Sequence, residues 1–486
     1  MLRLKYSPAQ LGAANARRVD GSARLRTPQI GQPCSYGSVA HGEARLYLIE
    51  MGAPKIVAIG IGSFSFGVEL LRDVFQTEEL RGCELALVDL DAGRLELMRG
   101  LAERLNEASG WQARIVATQE RGEALPGAGF VVTAVEVNRD ALWKLDHAIC
   151  LRNGIPSVLS ENGGPGGLSH ALRTVPIMLD IAGDIERLAP NALLLNYTNP
   201  EGRICLAIRR QTSVRTVGLC HGVAGTIPFV AGVLGMETSD VDLRAAGVNH
   251  FTWTTSLTAN GSGDDLYPAF RERLAGQPLD ERPLCRLLFD RFSIFPTTGD
   301  NHVGEYIGWA AEICGTKGYD FDGVAEQRRL AFENVQGWGD GTKPVGPLLA
   351  QPSREARVGT SAVRIMADSL ARRESRVPSI IVPNDRYIEN VSRDAVVEVP
   401  GLVESGDVRG MAVGALPGPV AAMVQNEVEI QKLVVDAAVS GSRDLALGAL
   451  LIDPVVNSAR KAEALLDDIL STHSAYLPRF AQAVAR

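Results

Sequence analysis

At 486 residues the chain is longer than one typical domain, so two large lobes or one elaborated domain are expected. Hydrophobic residues make up 45% of it and charges of both signs are interspersed, the composition of a soluble globular protein. A net charge of −8 argues against a nucleic-acid partner, and no apolar run reaches the roughly 18 residues of a membrane-spanning helix.

The first 42 residues hold six Lys/Arg, one acid (Asp20) and little periodicity. Residues 1–52 therefore read as a disordered or extraneous extension; an Arg-rich targeting arm is the other reading. Folded patterning begins at Lys55. K-I-V-A-I-G is a short β-branched run that breaks at glycine, a buried parallel strand entering a turn. V-E-L-L-R-D-V-F follows with helical spacing, and C-E-L-A-L-V-D-L-D is a second buried strand ending in acids.

A helix over Arg94–Ser109, strands near Ala113–Ala117 and Phe130–Val135, and a helix over Leu172–Leu188 come next. Ala192–Asn196 and Arg215–Leu219 are expected strands that flank a helix over Arg203–Gln211. This alternation predicts an α/β fold, an N-terminal Rossmann-type doubly wound parallel sheet over 53–245. From about Asp242 the pattern is less regular, with helical stretches over Leu266–Phe289 and Gly414–Leu470. A second, largely helical α+β domain over 246–486 is expected there, for substrate, metal and oligomerisation. The seven cysteines are scattered without a CxxC pair, which points to reduced thiols in a cytoplasm.

The first glycine cluster is G-I-G-S-F-S-F-G, with Gly60, Gly62 and Gly67 between a strand and a helix. Backbone lacking Cβ can approach a pyrophosphate, and a helix N-terminus favours its charge. Gly60, Gly62, Ser63 and Phe64 are the candidate cofactor contacts. Asp89, ending the second strand, can accept from ribose hydroxyls and selects NAD over NADP. The spacing is GxGxxxxG rather than GxGxxG, and a doubly wound fold without nucleotide is the plain alternative.

Four further segments carry candidate chemistry: S-E-N-G-G-P-G-G-L-S-H-A-L-R (Ser160–Arg173), N-Y-T-N-P (Asn196–Pro200), G-L-C-H and G-V-N-H-F-T-W. The first is expected as a glycine-rich loop running into a helix; the second and third lie at strand ends, where open α/β sheets place ligands. A Cys220 thiolate and a His250 imidazole could bind a divalent metal and leave positions open to substrate. The alternative is a buried small hydrophobe and a core histidine. His302 and Glu305 of N-H-V-G-E-Y read equally as supporting groups or as a helix start, and His170 as a helix-start residue.

Taken together, GxGS, N-x-T-N-P, G-L-C-H, G-x-N-H-x-x-W, H-x-x-E-Y, V-V-E-V-P (Val396–Pro400), V-G-x-L-P (Val413–Pro417) and I-D-P (Ile452–Pro454) resemble the family 4 glycoside hydrolases, over about Pro54 to Pro454. That family is the NAD-dependent exception to glycoside hydrolysis by a pair of carboxylates. The resemblance implies a lactate/malate dehydrogenase-like fold, NAD, a divalent metal (usually Mn²⁺) bound by Cys220 and His250, and a homodimer or homotetramer. It implies Asn199 as a sugar contact, with Asn162 beside it, and Tyr306 as catalytic base. The implied reaction is oxidation at sugar C3, proton removal at C2, elimination at C1, water addition and re-reduction. His221, in place of the Asp or Asn of members acting on 6-phosphorylated sugars, implies an unphosphorylated sugar; it is a candidate leaving-group acid or an orienting group. Departures stand near the site: Glu201 replaces a familiar Met after N-Y-T-N-P, and G-V-A-G follows Cys220-His221. An anionic sugar, such as a uronide or sulfosugar glycoside, is compatible with them. A malate- or lactate-type dehydrogenase and a non-catalytic NAD-bound sugar sensor are the rival readings.

Overall fold

A computed structural model describes residues 54–63, 66–278, 280–352 and 361–481. The extension at 1–52 and the candidate cofactor contact Phe64 lie outside the described residues. Six parallel strands come first: β1 (Lys55–Ile59), β2 (Glu84–Val88), β3 (Arg114–Thr118), β4 (Phe130–Thr133), β5 (Leu193–Asn196) and β6 (Arg215–Gly218). They lie in the order 3-2-1-4-5-6, the arrangement of dinucleotide-binding sheets. The interior residues of β1, β2, β4 and β5 are buried on both faces, which is why each of these reads as an unbroken apolar run rather than an alternating one, while the edge strand β3 is half-buried.

The sheet continues past β6. Strands β7 (Val241–Val248), β8 (Phe251–Ala259), β9 (Ser375–Pro383), β10 (Val396–Glu404) and β11 (Asp407–Gly410) extend it in the order β6-β9-β10-β7-β8, with β11 on β10. These pairings are antiparallel. One row of partners crosses four strands: Gly218 pairs with Ile381, Ile381 with Glu398, and Glu398 with Gly247.

Helix Ala92–Ser109 shows how local chemistry sets the elements. Asp91 caps it by accepting from the Gly93 and Arg94 N–H groups, and Gly110, at φ +68°, ends it in the left-handed region. Leu95, Met98, Leu101, Ala102 and Leu105 make its buried stripe. The expected helix at Leu172 begins eight residues earlier, at Gly164, so the glycine-rich stretch is largely the first turns of helix Gly164–Leu188. Pro165 suits that first turn, and tertiary contact overrides the poor helix propensity of glycine. A Cβ at Gly166 would stand 2.2 Å from the Ser160 Cβ. The C-terminal region forms three helices, Gly418–Ser440, Arg443–Ile452 and Ala459–Thr472. Among the described residues no helix is long and apolar enough to cross a membrane.

Beneath the start of helix Gly164–Leu188 lies a buried charged group. Arg203 is 1% exposed and its Nη2 sits 3.3 Å from Glu427 Oε1. Asp453, of the I-D-P segment, accepts from the Val455 N–H at 2.9 Å. Burial, reinforced by the Glu427 carboxylate, pushes the Asp453 carboxyl up to about 7. A carboxyl that holds its proton more tightly when folded loses stability as pH rises from about 4 to about 7, and the loss is complete above that. Asp453→Asn retains the acceptor without the charge. It should be more stable than wild type at pH 8 by up to roughly 4 kcal/mol and close to it near pH 4. Denaturant titrations at the two pH values check this; equal stability gains at both would remove the charge as the cause.

Candidate active site

The glycine turn after β1 is shaped by close approach. Gly60 has φ +83°, and a Cβ there would lie 2.4 Å from the Ala134 carbonyl oxygen. The Gly62 N–H donates to Asp89 Oδ2 at 2.8 Å, and the Asp91 N–H donates to Oδ1 at 2.9 Å. Asp89 therefore fixes the turn while its remaining lone pairs stay available to hydroxyl donors. Ser63 Oγ accepts from the Phe66 N–H at 3.4 Å, tying the turn to helix Phe66–Val74.

An aromatic path leads from this turn to the other candidate residues. The Phe66 ring packs 4.4 Å from that of Tyr197, which stacks on His221 at 5.9 Å and 19°. Tyr197 belongs to N-Y-T-N-P, so the carboxyl ends of β5 and β6 meet here.

Cys220 lies two residues beyond Gly218, hence at the end of the four-strand row. It is 7% exposed, and its Sγ accepts from the Gly222 N–H at 3.4 Å. Burial, then the Glu201 and Glu398 carboxylates, push that thiol well above its usual range. Gly222 leaves room for Thr298, whose Cγ2 would be 2.5 Å from a Cβ.

The G-x-N-H spacing has a steric origin. The chain reverses between β7 and β8 at Asn249-His250, with His250 at φ +64°. The Phe251 carbonyl oxygen passes 2.3 Å from where a Gly247 Cβ would be. Asn249 then donates to Glu398 Oε2 at 3.1 Å. Asn162 Nδ2 reaches Asn199 Oδ1 at 2.9 Å and Asn249 Oδ1 at 3.4 Å. The Tyr306 hydroxyl donates to the Asn249 carbonyl at 3.2 Å, and its ring stacks on Phe251 at 5.0 Å. Gly163 permits this, since a Cβ there would lie 2.8 Å from the Tyr306 ring. Burial and the neighbouring Glu305 carboxyl push the Tyr306 phenol well above its usual range. Asn162, Asn199 and Tyr306 thus share one hydrogen-bonded network with Asn249.

His250 also joins a second group. Metal-capable atoms of Glu161, His250 and His302 all lie within 4.8 Å of one another. The His250 and His302 rings meet edge to face at 4.5 Å, and Glu161 Oε2 is 3.6 Å from His302 Nδ1. Burial opposes ionisation of Glu161, but the Arg139 guanidinium paired with it outweighs that and holds the carboxyl at about 2. Burial, then His302, holds the His250 imidazole neutral, with its pKa at about 3. His170 is bound on both nitrogens, by the Glu161 carbonyl and Glu136, each at 3.0 Å. Glu305 accepts from the Glu161 N–H and, at 3.1 Å, from the Asn162 N–H, and so shapes the loop.

Glu161, Asn249 and Glu398 stand inside motifs visible in the sequence, as residues with no separate signal. Arg139, paired with Glu161 and Glu136, had none at all.

A sheet in dinucleotide-binding order, with a glycine turn at one part of its carboxyl edge and buried Cys, His and carboxylate donors at another, defines an α/β enzyme of dehydrogenase-like architecture. The pattern described as family 4 glycosyl hydrolase matches residues 55–236, and that of the family's C-terminal domain matches 245–456. The chain belongs to the family 4 glycosyl hydrolases, and it is a hydrolase acting on glycosides. It is 31% identical to an alpha-glucosidase of Erwinia rhapontici, over 87% of this chain and 99% of that one. The Bacillus subtilis glucosidase lplD superposes with a TM-score of 0.76 at 25% identity, covering 86% of this chain and all of that one. A 6-phospho-alpha-glucosidase from gut microorganisms, solved in complex with NAD and Mn²⁺, shares the fold at a TM-score of 0.73 and 22% identity, covering 88% and 99%.

Proposed function

We propose that the chain hydrolyses an unphosphorylated glycoside with the help of NAD and a divalent cation such as Mn²⁺, as a homodimer or homotetramer. The observation that carries this reading is the hydrogen-bonded set of Asn162, Asn199, Asn249, Glu398 and Tyr306, which joins the N-Y-T-N-P, G-x-N-H and H-x-x-E-Y segments.

The residues suit both groups. At the nucleotide end, Gly60 and Gly62 leave backbone bare of Cβ beside Asp89. At the other end, among the described residues, His250 Nδ1, Glu201 Oε2 and Glu398 Oε1 are buried without a hydrogen-bond partner. Cys220 and His250 would hold the cation. Bound there, the two groups would supply reversible oxidation of the sugar at C3 and polarisation of its oxygens.

The chain's own groups do the rest. Asn162 and Asn199 orient sugar hydroxyls through their amides. Tyr306 Oη takes the C2 proton, which requires the phenol to be ionised first; positive charge nearby favours that form and opposes the push of Glu305. His221, held against Tyr197, protonates the leaving group or orients the sugar. Its place after Cys220 supports an unphosphorylated substrate, as does the Erwinia rhapontici relative, an alpha-glucosidase by name.

The test is turnover of aryl glycosides, free and 6-phosphorylated, in D₂O with NAD⁺, Mn²⁺ and a reductant. Hydrolysis of the free glycosides with deuterium at C2 and no net NADH is expected. Hydrolysis without C2 deuterium would exclude elimination, and stoichiometric NADH would turn the reading to a dehydrogenase. Turnover of phosphorylated sugars alone would overturn the assignment of substrate.

A further inference from the structure

His250 sits at the turn between β7 and β8 in the left-handed region, at φ +64°, a conformation that a non-glycine residue keeps only where its surroundings fix it. The residue is 7% exposed, and its Nδ1 is buried with no hydrogen-bond partner among the described residues. His302 Nδ1 is likewise buried and without one. Glu161 is 5% exposed. Arg139 engages its Oε1, while Oε2 faces His302 Nδ1 at 3.6 Å, too far for a hydrogen bond. One donor atom from each of the three lies within 4.8 Å of the others, and no other group of that kind occurs among the described residues. Cys220 is not a member of it.

Two orphaned nitrogens and a carboxylate oxygen that meet without bonding to one another suit a metal ion. Atoms bound to a metal at about 2.0–2.2 Å stand roughly 3–4 Å apart, and the 3.6 Å between Glu161 and His302 falls in that interval. Two imidazoles and one carboxylate make a facial set that first-row divalent ions occupy with positions left open for substrate. His302 supplies the opening, since its side chain is 30% exposed where the other two residues are sealed. The carboxylate also gives Mn²⁺ the oxygen donor that it prefers and a thiolate lacks. We propose that Glu161 and His302 join His250 in holding the divalent cation. The inference rests on the reading of His250 as a metal ligand given above and asks nothing of Cys220.

The experiment compares the full-length wild type with Glu161→Gln, His302→Gln, His250→Gln and Cys220→Ser, each stripped with a chelator and kept with NAD and a reductant. Free Mn²⁺ is measured by its electron paramagnetic resonance signal, and the imidazole nitrogens on bound Mn²⁺ are counted by electron spin-echo modulation. Partners that only orient a ligand are worth about 10- to 100-fold in metal affinity, so loss of a direct donor should weaken Mn²⁺ by at least about tenfold. Glu161→Gln and His302→Gln should each do so. Wild type should show two coupled imidazoles and His302→Gln one, a change that a merely structural role would not produce. Thermal scans check folding, and added Mn²⁺ should raise the Tm of both variants less than that of wild type. Glu161→Gln keeps an acceptor for Arg139; should it still fail to fold, His302→Gln and the nitrogen count carry the comparison. Weakened binding in the Glu161, His250 and His302 variants with Cys220→Ser unaffected keeps the proposal and removes Cys220 from the ligand set. Wild-type Mn²⁺ affinity in either folded variant, or a single imidazole in wild type, overturns the three-donor set; binding lost in His250→Gln then leaves the earlier reading standing. Unchanged binding in His250→Gln overturns that reading as well.

Discussion

Tyr306→Phe is expected to lower kcat by about 10²- to 10⁴-fold, the range that a positioned acid–base group contributes. The substitution is selective because the ring has its own supports: it stacks on Phe251 and lies against Gly163, and phenylalanine preserves both. What disappears is the hydroxyl and its bond to the Asn249 carbonyl, a loss of about 1 kcal/mol in stability. Steady-state rates on an aryl glycoside, together with deuterium entry at C2, separate the two effects. Turnover and C2 exchange should fall together while NAD and Mn²⁺ affinities hold. A kcat near wild type would remove Tyr306 from the proton transfer.

Arg203→Ala has the largest expected effect on stability, about 3–5 kcal/mol of destabilisation, since it strands the buried Glu427 carboxylate. The site should feel it, because Arg203 Nη1 would lie 2.9 Å from a Cβ on Gly167, under the loop that carries Asn162. Urea unfolding of Arg203→Ala, Glu427→Gln and the double variant checks the claim. The double variant should recover part of the loss; a double variant as unstable as the sum of the singles would mean the two side chains act separately.

Strands β1, β2, β4 and β5 were legible because each is short, apolar and buried on both faces. The helix start at Gly164 was not, because four glycines in six residues oppose helix locally, and only contacts with Ser160, Asn162 and Glu305 explain them. Nor could periodicity reveal that β9 joins β6, since Gly218 and Ile381 are distant in sequence and share a single rung. At the site, Cys220 and His250 stood out as residue types and Glu201 as a departure from a family pattern. Arg139, by contrast, is one exposed-looking residue at the start of helix Arg139–Arg152, and only packing turns it toward Glu161. Motifs report the residues that turns and close contacts demand; they do not report what those turns bring alongside.

The rung from Gly218 through Ile381 and Glu398 to Gly247 bears on how the two halves of the sheet are coupled. Neighbouring strands stand about 4.8 Å apart, so Cys220 and the Asn249-His250 turn are hung from opposite ends of a graduated bar rather than from free loops. A displacement of any one of the four strands would therefore be passed to the residues at both ends.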